Sequence, residues 1–211
     1  MSVILRTGTY GDYYGSTKDT SSPCTSEQMS VNAKYIYKYL SAKGWTKESV
    51  AALLGNMQAE SSINPGRWQS DRVGGDSSGH GYGLVQWTPY TKYTEWCSEK
   101  GFNDFSEMDS NLARIVYEVE NNIQWIATSN YPGMTFKDFS TSTRDVDYLA
   151  VAFLLCYERP ADQSTSVQTY RSLLANNWYT VLGGINPSGG TSKRKKFNFV
   201  LFNRERRIRN G

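Results

Sequence analysis

A carboxylate on the apolar side of a helix is a candidate proton donor, and Glu60 is placed that way. Val50, Leu53, Leu54 and Met57 recur at i, i+3, i+4 and i+7, the spacing of one helical face. Glu60 lies three residues after Met57 and seven after Leu53, so it continues that stripe. Burial there disfavours the charged form, and the negative end of the helix dipole acts in the same direction. The spacing therefore predicts a carboxyl that keeps its proton, the form that glycosidic cleavage needs in order to protonate the leaving oxygen. The other reading is a glutamate that turns outward at the helix end or hydrogen-bonds the next loop.

Two more carboxylates, Asp71 and Asp76, fall in the polar, Gly-rich stretch SDRVGGDSSGHGYG that follows. Either could face Glu60 as a second catalytic group, or both are solvated loop residues. His80 is the single histidine. That excludes a zinc site built on several histidines, and no metal or cofactor is expected. A Cys-His nucleophile would need His80 with Cys97, which sits beside Trp96 in a helical stretch without a supporting motif. Three scattered cysteines do not make a disulfide framework.

The elements that position these residues read as mainly α. A helix begins near Ser26, with Val31, Tyr35, Tyr39 and Leu40 on one face, and ends at Gly44. Thr46 caps the Glu60 helix, which Asn64-Pro65-Gly66 stops. Leu84 to Trp87 reads as a short extended stretch. Thr88-Pro89 opens a further helix ending at Gly101. Asp109 or Ser110 caps one carrying Leu112, Ile115, Val116, Val119, Ile123 and Ile126. Thr143 caps one carrying Val146 to Tyr157. A last helix spans about Ser164 to Trp178, with Val167, Tyr170 and Leu174 inward. The division expected is an N-terminal arm over 1–25, ordered only if something holds it, a helical domain over 26–182, and a linker with a basic tail over 183–211.

The chain has 211 residues, 38% of them apolar and 20% charged, which suits one packed domain. After Ser192 it holds eight basic residues against Glu205 alone, while the rest holds 15 basic and 19 acidic ones. A short strand, Phe197 to Phe202, is expected inside that tail. Lys193, Arg194, Lys195, Lys196, Arg204, Arg206 and Arg207 are candidates for docking onto a partner protein by β-augmentation, with a loose solubilising terminus as the other reading. No apolar run is long enough to span a bilayer and no signal-peptide layout is present, so delivery by another agent is expected.

Glu60-Ser61-Ser62-Ile63-Asn64-Pro65, then Gly81-Tyr82-Gly83-Leu84-Val85-Gln86-Trp87-Thr88-Pro89, resembles the signature of the lytic transglycosylase and goose-type lysozyme superfamily. With Cys156-Tyr157-Glu158-Arg159-Pro160 downstream, the chain is more similar still to phage tail lysozymes, over about residues 26–180. The resemblance implies a lysozyme-like helical fold with a Gly-rich active-site loop. It implies Glu60 as general acid, Ser61 as a residue that steadies it, and Gln86 as the cleft amide for sugar hydroxyls or N-acetyl groups. Tyr157 aligns with a tyrosine near the acid, and Tyr82 and Trp87 of the same motif are candidate sugar-contacting rings. The other reading of Gln86 and Tyr157 is ordinary hydrogen bonding in core or loop.

The implied function is a phage tail-associated peptidoglycan hydrolase, cutting the β-1,4 link between N-acetylmuramic acid and N-acetylglucosamine during infection. Its expected place is the virion, at a tail tip or knob, with glycan strands and other phage tail proteins as partners and no nucleic acid. Tail-knob relatives carry an added zinc endopeptidase domain, and with one His here no peptide cleavage is expected. Two other readings stay open: transglycosylase chemistry leaving 1,6-anhydro ends, and a non-catalytic tail component that only binds glycan or neighbouring subunits.

Overall fold

A computed structural model describes residues 3–75 and 79–185. Asp76, the linker from 186 onward, the expected strand and all seven docking candidates of the tail lie outside those residues. Among the described residues the architecture is mainly α, as expected. Seven α-helices are accompanied by a small antiparallel hairpin, β1 (Val3–Gly8) and β2 (Gly11–Ser16). The helices are α1 (Ser26–Ser41), α2 (Lys47–Ser61), α3 (Thr91–Glu99), α4 (Met108–Glu120), α5 (Phe136–Ser140), α6 (Val146–Phe153) and α7 (Thr165–Leu182). None of them is long and apolar enough to cross a membrane.

Helix α2 is the axis of the fold. Thr46 caps it as expected, its hydroxyl accepting from the Ser49 N–H. The apolar stripe is only part of its buried surface, however. Every residue from Ser49 to Met57 is buried, Ala51, Ala52, Gly55 and Asn56 included, because neighbours close on all sides. Helix α7 crosses closest. A Cβ on Gly55 would stand 2.6 Å from the backbone nitrogen of Ala175, so only a glycine permits this approach. The buried face of α7 is Arg171, Leu174, Ala175, Trp178 and Leu182, whereas Tyr170, expected inward, is exposed.

The N-terminal stretch is a β-hairpin held by named groups. Its register pairs Val3 with Ser16 and Gly8 with Gly11. The Arg6 guanidinium donates to Asp104 at 2.7 Å and to the Ser106 hydroxyl at 2.8 Å. Asp109 accepts from the Thr9 N–H and hydroxyl. Asn32 receives the Tyr14 N–H at 2.6 Å and donates to the Ile63 carbonyl at 2.7 Å.

Several boundaries differ from the expectations. Helix α4 starts after Glu107, which makes no side-chain cap bond, and ends at Glu120, short of Ile123 and Ile126. Helix α6 starts after Asp145 rather than Thr143. After Thr88-Pro89, helix begins only at Thr91. Leu84 to Gln86 is not extended. It forms a turn closed by a bridge between Tyr82 and Trp87. Helix α5, capped by Thr135 and Asp138, carries Phe136 and Phe139 into the core.

Candidate active site

Glu60 sits in the last turn of α2, where the helix emerges from the core. Its side chain is 23% exposed, less enclosed than the stripe predicts. The reason is positional, since one turn earlier the helix is sealed and one turn later the chain has left it. Ser62 and Ile63 both take left-handed backbone, turning the chain away. Asn64 fastens that turn. Its oxygen accepts from the Ser16 N–H at 3.0 Å and the Gly66 N–H at 2.9 Å, and its amide nitrogen donates to the Ser16 hydroxyl.

The carboxylate of Glu60 is paired with Arg171 of α7, which also donates to the Asn56 carbonyl at 2.8 Å. Arg171 is itself buried, so the pair is fixed by the close crossing of the two helices. Glu60 opens onto a cleft of about 650 Å³, shared with Trp68, Asp71, Gln86 and Glu158. A hollow of about 240 Å³ adjoins it, lined by Gln86, Thr88 and Glu158 again, with Lys92 and Arg159. Volumes in this range suit one or a few sugar rings.

Backbone strain concentrates along this groove. Ser62, Ser70, Asp71 and Gln86, all in its lining, have φ of 54°, 52°, 60° and 53°. Arg159, next to Glu158, has φ of 49°. Such left-handed residues cluster where a fold holds groups for function. Glu158 closes a π-turn, Leu154–Glu158, that widens the end of α6, a distortion often found at functional sites.

The sequence-derived residues fall in two groups. Glu60, Asp71 and Gln86 come together at the cleft. The Gln86 amide nitrogen donates to the Arg67 carbonyl at 3.1 Å and the Gly83 carbonyl at 2.9 Å, which turns its oxygen into the end offered to a ligand. Asp71 is exposed and bound to Arg67 at 2.5 Å. The others lie beneath. Ser61 is buried and donates to the Leu84 carbonyl at 2.8 Å, so it ties the end of α2 to the Gln86 turn. Tyr82 is enclosed in the core, stacked near Tyr93. Trp87 and Tyr157 are buried and both donate to Glu118, at 2.9 and 2.5 Å, where Arg114 also binds. Trp68 lines the main cleft but is itself buried, with its indole N–H donated to the Lys18 carbonyl.

Glu118 thus joins the two segments that carry cleft residues, Trp87 beside Gln86 and Tyr157 beside Glu158. Burial still holds its carboxyl above the ordinary range, although Tyr157, Arg114 and Trp87 act in the opposite direction. His80 contacts Arg72. Cys97 is buried in α3, where burial pushes its thiol up to about 11, a poor setting for a nucleophile.

Sequence reasoning missed Arg171 and gave Glu158 no role. The stripe Leu174, Ala175, Trp178 and Leu182 points to the first, because one turn further back it lands on Arg171.

A mainly helical domain with a polar, carboxyl-lined cleft at the end of its central helix belongs to the lysozyme-like class. Residues 31–182 match the family model for the phage tail lysozyme, and the chain belongs to that family. It is also similar to a protein named Morphogenesis protein 1, from Bacillus phage B103, at 47% identity over 163 residues. The match covers 77% of this chain and 42% of that protein, so the chain spans under half the length of this relative.

Proposed function

We propose that the chain acts as a tail-associated peptidoglycan hydrolase that cleaves the β-1,4 bond between N-acetylmuramic acid and N-acetylglucosamine during infection, with Glu60 as general acid. The observation that carries this reading is Glu60 at the end of the central helix, opening onto a groove with an oriented amide and a second carboxyl. Membership of the tail lysozyme family supports the chemistry. The name of the phage B103 relative supports a place in the virion beside other phage proteins. Within the groove Gln86 presents its carbonyl oxygen to an N-acetyl N–H or a sugar hydroxyl. Asp71, spent on Arg67, is a weaker choice for the second catalytic group than Glu158.

Glu60→Gln tests the reading. Clearing of purified walls is expected to fall by roughly 10²-fold or more, the usual contribution of a general acid, with glycan binding retained. A protein without wall-cutting activity before substitution would leave only the binding role. Mass analysis of the released muropeptides separates hydrolysis from transglycosylation, because anhydro ends are lighter by one water.

A further inference from the structure

We propose that Glu158 is the second carboxyl of the reaction, and that it and Glu60 hold a single proton between them before a glycan arrives. The inference rests on the glycan-cleaving reading and assigns a group for which that reading gives only a preference. Glu158 lines both the main cleft, with Glu60, and the adjoining hollow, so it stands where a strand passing between the two would cross. Its Oε1 is shut off from solvent and meets no hydrogen-bond partner among the described residues. A buried ionised carboxylate left that way is costly, and a neutral carboxylic acid much less so.

The placement of Glu158 is rigid on both sides. Tyr157 before it is anchored on Glu118, and the Arg159 guanidinium after it donates to the Gln124 and Cys156 carbonyls. Burial first, then the nearby Glu60 charge, pushes its carboxyl well above the ordinary range, against the pull of Arg171 and Arg159. The other charged groups on the groove are Arg67, Asp71 and Lys92. Glu60 stands in its ion pair with Arg171 on the same cleft.

The proton count closes over one hydrolytic turnover. The pair gives its proton to the glycosidic oxygen while the carbon–oxygen bond breaks, its electrons passing to that oxygen. Water adds to the sugar cation and releases one proton, which returns to the pair. One water is consumed and the two carboxyls again hold one proton.

Glu158→Gln tests this, because glutamine has the shape of a protonated glutamate and would fully replace a merely space-filling one. The expected result is a fall in wall clearing of roughly 10²-fold or more with glycan binding unchanged and no loss of melting temperature. Infrared spectra of the unsubstituted protein should show a protonated carboxyl at neutral pH that the variant lacks. Wild-type rate and pH profile in Glu158→Gln, or no such carboxyl in the unsubstituted protein, would overturn the proposal. Should the variant not fold, the infrared band and the pH profile of Glu158→Asp decide. An unsubstituted protein that cuts no glycan sinks the enzymatic reading instead, and the infrared band then rules on the shared proton alone.

Discussion

Arg171 is the residue whose removal separates the structural from the chemical part of the site. It bridges the Asn56 carbonyl and Glu60 from a buried position on α7. Replacing it by methionine removes one donor from the Asn56 carbonyl and strands the Glu60 carboxylate. The expected loss is about 1–3 kcal/mol of stability, read as a lower melting temperature. Glu60 was legible in the sequence because a local period and a motif both converge on it. Arg171 was not, since it pairs across 111 residues of chain, and no local period announces a charged partner on another helix. Gln86 was legible as a cleft residue, while Tyr82, Trp87 and Tyr157 were read from the same motifs as cleft rings. They share those motifs because they build the floor, and sequence proximity does not distinguish floor from wall.

At the level of elements, the crossing of α2 and α7 decides where Glu60 points. Gly55→Ala would put a methyl group against the Ala175 backbone. The helices must then separate, with an expected cost of about 1–3 kcal/mol for an overpacked contact. Because Arg171 lies one turn from Ala175, wall clearing should drop as well, although Gly55 lines neither the Glu60 cleft nor the adjoining hollow; thermal melting and a clearing assay on one preparation check both. Tyr157→Phe is expected to cost about 1–3 kcal/mol through the buried Glu118 it leaves short of a donor, measured by urea denaturation. The helices α1, α2 and α7 were legible from their period, with an N-cap read only for α2 and with Tyr170 of α7 placed on the wrong face. The hairpin was not, because Gly, Thr and Tyr in short strands show no alternation, and the groups that hold it lie on α1, on α4, in the loop before α4 and at Asn64 after α2. The end of α4 was overrun because Ile123 keeps the apolar period after the helix has stopped.

For the molecule as a whole, the buried carboxyls set how stability varies with pH. Glu118 and Glu158 have folded values raised by burial. A raised carboxyl binds its proton more tightly folded than unfolded. Its contribution is therefore greatest below the ordinary value of 4.5 and is lost as pH rises from there through the folded value. Asp104, lowered by Ser106 and Arg6 against the opposing effect of burial, contributes stability above its ordinary range that is lost on acidification. The melting temperature should accordingly peak in mild acid and decline toward alkaline pH. Glu158→Gln should flatten the alkaline decline, and a scan of melting temperature against pH in both proteins reads it. The clamped hairpin bears on how this domain would behave when pulled. Antiparallel strands drawn from one end open pair by pair, whereas groups stretched side by side yield together. A tether at the N-terminus would load Arg6–Asp104 and the Asn32 and Asn64 amides in turn, and the last of these grips the bend directly after Glu60. Mechanical tension on that end would so be delivered to the bend that follows Glu60.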